Sequence, residues 1–454
     1  MGHFITSKDI PADGEHIPKS KLALPIMACG LVALVGVIAS ACLLFLDNPL
    51  ENAPADTVAG RYAYSWLFAF IFFVSITLGG SFWLLLHHVS NSGWGISVRR
   101  LMEHLACVFP WMGILAIPFF FPQVQQHLYE WMNLHRLAML GEGVSSVYGN
   151  AKEALHHSHD PFDHLLYVKT FYMNLPFWLG RMVFYFIALG ASVFYLRKLS
   201  VAQDTDPNPG LARLKTARRR SSWIFIIFGL TATFLVFDLV KALDYKWFST
   251  MYGVAFFAGC VLNGMALLIL TTIVLRRAGY MKEIMSAEHH HIMGKLTFAF
   301  VVFWAYVSFS QFFLIWYANI TEETSYFLLR NTGNWNTASI VLVFGHFALP
   351  FLFLIRSDVK KKPGLMIPIT IYLFILHALD IYLMVAPERG PSLTISSEAG
   401  ASLMPTKGGV LWLDILAFVT VGAFFAFFYL RSLTSTSLYP NRDPRILESA
   451  NLHN

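Results

Sequence analysis

The chain has 454 residues, of which 56% are hydrophobic, 13% are charged and 41 are phenylalanine. An average soluble domain carries about 25% charged residues, so the composition excludes a soluble enzyme and predicts one large helical membrane domain. The formal net charge of +6 does not indicate nucleic-acid binding, because the basic residues stand in short segments between apolar stretches.

Ten apolar stretches follow one another along the chain, each of roughly 17–25 residues, the length of a helix that crosses a hydrocarbon core. They begin near Leu22, Tyr64, Leu105, Pro176, Ser221, Met251, Leu296, Ala338, Pro368 and Val410. The predicted fold class is therefore all-α integral membrane. A ten-helix transmembrane domain at 22–434 stands between an N-terminal tail at 1–21 and a C-terminal tail at 435–454.

The basic residues predict the orientation of these spans. Most of the 33 Lys and Arg residues fall on one side when the segments between spans are assigned to alternate sides of the membrane. The positive-inside rule then places both termini in the cytoplasm. We expect a Cys introduced at Asn150 to be labelled by an impermeant reagent from outside and a Cys at Asp206 to be protected. The reverse pattern would overturn the orientation.

Cofactor motifs are absent from the sequence. The four Cys stand singly in apolar stretches, and no C-x-x-C-H run or Cys cluster occurs, so we predict no haem c, no iron–sulfur cluster and no metal bound by this chain. A His-rich stretch at 156–160 fits no zinc-ligand spacing, and a solvated loop is predicted there.

Polar residues inside the apolar stretches are the most informative group. A charge at the bilayer centre costs at least about 2.5–3.5 kcal/mol, so these residues are expected to face the interior of the bundle and to pair. His377 and Asp380 are three residues apart and share one helix face. They form either a proton relay, since His titrates near neutral pH, or a structural pair. The candidate proton pathway comprises His346, His377, Asp380, Asp414, Asp238 and Gln311.

A second polar group stands around the fourth span. It comprises Arg181, Lys169, Tyr172, Asn174 and Asp244. Arg181 would otherwise be an unpaired cation inside a span, so this group forms either a buried ion pair or a quinone pocket. We predict a buried network that pairs Arg181 with a carboxylate, without bound quinone. Bis-His ligation of haem b by His346 and His377 is a weaker alternative for the first group, because the cytochrome b pattern of two widely spaced His on each of two helices is missing.

Several runs of residues resemble the membrane subunits of the NrfD and polysulfide-reductase type, and more narrowly the ActF family of bacterial alternative complex III. The runs, which occur in order, are Gly79-Gly80-Ser81-Phe82-Trp83, Arg99-Arg100-Leu101 with Glu103-His104, KTFYMNLPFWLGRMVFYF at 169–186, DLVKALDYKWFSTMYG at 238–253, EHHHIMGKLTFAF at 288–300 and VFGHFALPFLFLIRSDVKKKP at 343–363. The similarity extends over roughly 64–387.

The resemblance implies two four-helix bundles, at about 64–240 and 251–386, with the first and tenth spans outside them. It implies a subunit of a quinol:acceptor oxidoreductase in the bacterial inner membrane that supports electron transfer from menaquinol to a periplasmic acceptor. The implied partners are a sister NrfD-like quinol-binding subunit, an iron–sulfur subunit, multihaem and monohaem cytochrome c subunits, small membrane subunits and lipid. Haem c and iron–sulfur clusters belong to those partners. This chain would have a structural and proton-conducting role, or would hold a second menaquinone.

A secondary transporter is the alternative from another functional class. Transporters often have helices interrupted by Gly or Pro at matched positions of two halves, and Gly79-Gly80, Gly190 and Pro350 fit such a pattern. Small residues in membrane helices more often serve close packing.

Overall fold

The computed structural model describes residues 4–45, 57–132, 161–206, 209–389 and 411–452, and these ranges contain helices and no strands. The helices of the first half are α1 (Lys19–Leu44), α2 (Val58–Ser90), α3 (Ile96–Ala106), α4 (Phe109–Leu115), α5 (Pro122–Leu128), α6 (Pro161–Lys169), α7 (Leu175–Asp204) and α8 (Ala212–Leu239). Those of the second half are α9 (Tyr252–Arg277), α10 (Ala287–Ala318), α11 (Thr321–Arg330), α12 (Gly333–Val343), α13 (Leu349–Leu354), α14 (Ser357–Lys361), α15 (Pro363–Val385), α16 (Leu411–Leu433) and α17 (Ile446–Ala450).

Nine helices in the described ranges are long and apolar enough to cross a membrane. They are α1, α2, α7, α8, α9, α10, the joined α12 and α13, α15 and α16. Exposed apolar side chains cover the outer faces of several of them, such as Leu24 and Leu31 of α1 and Tyr306 and Phe309 of α10. These features are consistent with an all-α, multi-pass membrane protein, because so many exposed apolar side chains are stable only when they face lipid.

The predicted third span is wrong as a continuous helix. The stretch that begins near Leu105 is divided into α3, α4, a 3-10 turn at Ile117–Phe120 and α5. Proline explains the breaks, because its ring clashes with the carbonyl four residues earlier and it has no N–H to donate. Pro110 follows the end of α3 by four residues, and Pro118 and Pro122 stand within the first two residues of the next two segments. The described ranges therefore contain nine helices of membrane-spanning length, where the sequence predicts ten.

Helix α2 is the central element of the structure. Of the residues in its apolar stretch, 89% are buried, and it contacts α3, α8, α9, α15 and α16. The contact with α9 is made by backbone: a Cβ on Gly79 would lie 2.0 Å from the carbonyl oxygen of Cys260, and a Cβ on Gly264 would lie 2.6 Å from the carbonyl carbon of Gly79. Small residues on both helices thus allow the close approach that is common between membrane helices.

Two groups of helices pack on the two sides of this contact. Helices α7 and α8 pack together beside α2 and α4, whereas α9 contacts α10 and α15, and α12 contacts α15. Helices α1 and α16 form a further pair, and α16 also contacts α2. The interior of the second group is the location of the first candidate site.

The two tails bind to each other. The backbone N–H of Leu438 donates to the carbonyl of Glu15 at 2.9 Å. Asn451 pairs with both the N–H and the carbonyl of Ile5, each at 2.8 Å. Helix α17 of the C-terminal tail also contacts α3, so the tails form a cap over that end of the helices.

Candidate functional site

A buried polar cluster lies where α15 faces α2 and α10. His377 is fully buried and Asp380 is 7% exposed, and the Nδ1 atom of His377 lies 3.9 Å from Oδ2 of Asp380. The same carboxylate oxygen accepts a hydrogen bond of 3.0 Å from the indole Nε1 of Trp304. The described partners of the Asp380 carboxylate are therefore an indole on α10 and an imidazole one helical turn away.

Hydrogen bonding to α2 assigns the tautomer of His377. Its Nε2 atom lies 2.8 Å from Oγ of Ser75, and that hydroxyl donates to the carbonyl of Phe72 at 2.6 Å. A serine hydroxyl has one proton, so Nε2 of His377 is the donor to Ser75. In the neutral ring, Nδ1 is then an acceptor that faces the acceptor oxygen of Asp380. At 3.9 Å this contact is too long for a hydrogen bond, and Nδ1 of His377 has no hydrogen-bond partner among the described residues.

His346 joins the cluster from the neighbouring helix. It is fully buried, and its ring centroid lies 4.2 Å from that of Trp304. Neither ring nitrogen has a hydrogen-bond partner among the described residues. A buried polar atom without a partner costs about 1–3 kcal/mol of folding free energy. Burial of His346 therefore destabilises the protein, which a purely structural role for this residue does not explain.

The backbone around His346 is a π-helical turn, Phe344–Ala348, inserted between α12 and α13. The sequence explains it: Pro350 stands four residues after His346 and has no N–H to donate to its carbonyl. The N–H of Leu349 instead reaches the carbonyl of Phe344, five residues earlier. Such turns are frequent at functional sites.

Helix α9 leaves space for the cluster. A Cβ on Gly259 would lie 2.9 Å from Cε1 of His377, so this position admits only glycine if the imidazole keeps its place. One turn along, Asn263 is fully buried, and its amide nitrogen donates to the Gly259 carbonyl at 3.0 Å. Its Oδ1 atom has no partner within the described residues.

The structure does not bring the other pathway candidates to this cluster. Asp414 of α16 is paired with Arg389 and accepts hydrogen bonds from Ser65 at 2.6 Å and from Tyr382 at 3.1 Å. Gln311 lies on α10, is 8% exposed and forms no hydrogen bond with His377 or Asp380. Asp414 therefore connects α16 to α2 and α15 as a salt-bridged structural residue.

The fourth-span group contains the predicted pairing of Arg181 with a carboxylate, and the carboxylate is Asp238. Nε and Nη2 of Arg181 each donate to one oxygen of Asp238 at 2.8 Å. Tyr185 adds a hydrogen bond of 2.7 Å to the same carboxylate, and Nη1 of Arg181 donates to the carbonyl of Tyr172 at 2.9 Å. The guanidinium also lies 3.8 Å from the ring centre of Tyr172, a favourable cation–π contact.

The remaining members of this group have local structural roles. The side chain of Asn174 caps α7 by accepting from the N–H of Phe177 at 2.9 Å. Asp244 accepts from the N–H of Lys246 at 3.0 Å. Lys169 donates to the carbonyl of Tyr245 at 2.5 Å, and burial lowers the pKa of its amine. Arg181, Lys169, Asn174 and Asp244 are thus engaged with a carboxylate or with the backbone, whereas the hydroxyl of Tyr172 is buried without a hydrogen-bond partner among the described residues.

A second ionic network escapes the sequence analysis. Arg99, Arg100 and Glu103 of α3 are almost completely buried. Arg99 binds Asp443 of the C-terminal tail at 2.7 Å, Arg100 binds Glu103 at 2.9 Å, and Arg100 also contacts Asp204 of α7. The Arg-Arg-x-x-Glu spacing places opposite charges on one helix face and could have predicted the ion pairs within α3. The tail partner stands 344 residues away, and nothing in its sequence indicates it.

The adjacent His104 belongs to the same buried region. Its Nδ1 atom lies 2.8 Å from Oγ of Ser432, which also accepts from Arg197 at 2.6 Å. Burial, followed by the charges of Arg197 and Arg100, holds the pKa of His104 well below its usual range. His104 is therefore neutral at physiological pH and acts as a hydrogen-bonding residue.

Replacing Glu103 by Gln is expected to destabilise the protein by about 1.5–3 kcal/mol, the contribution of a hydrogen bond to a charged group. The loss is limited because Arg99 keeps Asp443 and Arg100 keeps Asp204. Thermal unfolding of the purified chain measures it. Equal stability of the variant and the wild type would show that the network does not hold α3 in place.

Arg330, the last residue of α11, is a further buried cation. Nε of Arg330 donates to the carbonyl of Leu383 at 2.9 Å, and Nη2 donates to Met384 at 3.1 Å and binds Glu388 at 3.0 Å. These bonds satisfy carbonyl groups in the last turn of α15, the helix that carries Asp380. Arg330 thus positions the cluster without contacting it.

The His-rich stretch at 156–160 lies outside the described residues. Within the ranges that the structure describes, no group of three or more His, Cys, Asp or Glu residues is arranged to hold a metal ion. In comparisons with known proteins, no family model matches the chain, and no curated protein matches it significantly.

Proposed function

We propose that this chain is an integral membrane subunit of a quinol-oxidising respiratory complex of the alternative complex III type, in which it supports partner subunits and conducts protons. The observation that carries the proposal is the cluster of His377, Asp380 and His346. Three titratable side chains lie together in the interior of an apolar helix bundle, and one of them has no described hydrogen-bond partner. The ordered runs that resemble the ActF family supply the respiratory context.

The chemistry of the cluster suits proton transfer. A protonated Asp380 would pass its proton from Oδ2 to Nδ1 of His377 after a side-chain rotation that closes the present 3.9 Å separation. The nitrogens of His346, which have no partner among the described residues, offer the next acceptor, and its ring lies 4.2 Å from that of Trp304. A neutral imidazole has one donor and one acceptor nitrogen, so it can take up a proton on one side and release one on the other. The other subunits would oxidise menaquinol and hold haem c and the iron–sulfur clusters.

A second menaquinone site on this chain receives less support. The expected pocket is the Arg181 group, and there the guanidinium, the carboxylate of Asp238 and the hydroxyl of Tyr185 already bind one another. A quinone would have to displace these charge-assisted hydrogen bonds, which are about twice as strong as neutral ones. We therefore assign a structural role to this group.

A secondary transporter also receives less support. The helical interruptions stand at α3–α4 and at the π-helical turn between α12 and α13. These are the second helical segment of the first group and the third of the second group, so they do not occupy matched positions of two repeated halves. Gly79 and Gly264 serve backbone packing between α2 and α9, as small residues in membrane helices generally do.

Purification of the tagged chain from native membranes tests the proposal. We expect haem c and iron–sulfur proteins to co-purify with it and the preparation to oxidise menaquinol. A chain that purifies without redox partners, and that moves a solute across liposomes by itself, would contradict the proposal and favour the transporter.

A further inference from the structure

A cavity of about 350 Å³ opens at the ends of three apolar helices, α9, α10 and α15. Arg276 and Arg277 end α9, His290 lies in the first turns of α10, and Pro363 begins α15. Lys282, from the α9–α10 connection, and Ile273 complete the wall. The lining therefore contains three permanent cations, one imidazole and no carboxylate.

These cations differ from the other cations at the helix ends. Arg99, Arg181 and Arg389 each bind a carboxylate. Among the described residues, no hydrogen bond or ion pair engages the side chain of Arg276 or Arg277, and Nε of Arg276 is buried without a partner. Like charges that line one cavity repel each other, so the site is electrostatically complementary to an anion.

The chemistry of the wall selects a phosphate group. Guanidinium groups bind phosphate oxygens in bidentate geometry, and an additional ammonium supplies a point charge. One half-buried and two exposed cations at the cavity can contact a phosphodiester from more than one direction.

The surroundings favour a phosphate attached to acyl chains. Val274, next to Ile273, is 53% exposed, and Leu365, two residues after Pro363, is 43% exposed. Exposed apolar side chains thus continue from the cavity along α9 and α15. Basic pockets between membrane helices are known to bind the head groups of anionic lipids.

We propose that this cavity is a binding site for the phosphate group of an anionic phospholipid, with Arg276, Arg277 and Lys282 as its ligands. The acyl chains would lie against the apolar faces of α9 and α15. The inference does not depend on the proton-conducting role, because the cavity and the buried cluster share no residue.

The test uses the full-length chain, purified in detergent and depleted of lipid. Phosphatidylglycerol is titrated, and its binding is followed by the rise in unfolding temperature that a ligand of the folded state produces. We expect phosphatidylglycerol to stabilise the wild type, and phosphatidylcholine and inorganic phosphate at equal concentration to have no effect. In the Arg276→Gln/Arg277→Gln variant, the affinity should fall by roughly thirtyfold, the loss expected for two interfacial cations.

A matched control removes the same charge elsewhere. Arg219 and Arg220 of α8 are exposed and do not line the cavity, so Arg219→Gln/Arg220→Gln should bind phosphatidylglycerol like the wild type. Equal loss in both double variants, or no loss in either, would overturn the site. Stabilisation by inorganic phosphate alone would overturn the lipid as its source. If the first variant does not fold, Lys282→Gln replaces it, and unchanged affinity there would also contradict the proposal.

Discussion

Replacing Asp238 by Asn is expected to lower the free energy of unfolding by about 3–5 kcal/mol, the cost of leaving one partner of a buried ion pair uncompensated. Asp238 is 2% exposed and accepts from Nε and Nη2 of Arg181 and from the hydroxyl of Tyr185. An amide presents one acceptor oxygen where the carboxylate presents two and carries no charge to offset the guanidinium. Denaturant or thermal unfolding of the purified chain measures the loss.

Two further variants separate the buried charge from a general effect of Asp to Asn replacement. Asp358→Asn removes an exposed carboxylate that pairs with Arg356 and should leave the unfolding temperature unchanged. Arg181→Met/Asp238→Leu removes both buried charges and should recover most of the stability, since apolar replacement of a buried pair is often neutral. A single Asp238→Asn variant as stable as the wild type would refute the pairing.

Replacing Asp380 by Asn is expected to abolish proton translocation by the assembled complex above the protons released by quinol oxidation itself. The amide keeps the size of the side chain and can still accept from Trp304, but it has no titrating proton to pass to His377. The measurement is the number of protons moved per electron in proteoliposomes that contain the whole complex. Asp358→Asn is the matched control and should keep the wild-type yield. An unchanged yield in Asp380→Asn would leave the pair with a packing role only.

The periodic apolar stretches were sufficient to predict an all-helical membrane fold, because hydrocarbon admits few other structures. They were insufficient for the third span, where average hydropathy concealed Pro110, Pro118 and Pro122. A proline that follows a helix end by four residues was the better guide, and the same argument explains the π-helical turn before Pro350. Hydropathy indicates whether a segment faces lipid or water, whereas proline indicates where the backbone hydrogen bonds of a helix are interrupted.

For the candidate residues too, the sequence predicts some features and leaves others unpredicted. The cost of burying an unpaired charge predicted that Arg181 would find a carboxylate, and the helical repeat predicted that His377 and Asp380 would share a face. Neither argument indicates which distant residue completes a site. Trp304, Ser75 and Asp443 reach their partners only through the tertiary arrangement of the helices and the tail.

The central claim is that the buried pair holds a proton that exchanges with water, and infrared difference spectroscopy of the purified chain tests it most directly. Spectra recorded at high and low pH, within the range where the protein stays folded, should differ by a carboxylic acid C=O band that shifts in D₂O and is missing in Asp380→Asn. A band of this kind would assign the titrating carboxyl to Asp380. Identical difference spectra for the wild type and Asp380→Asn would contradict the claim.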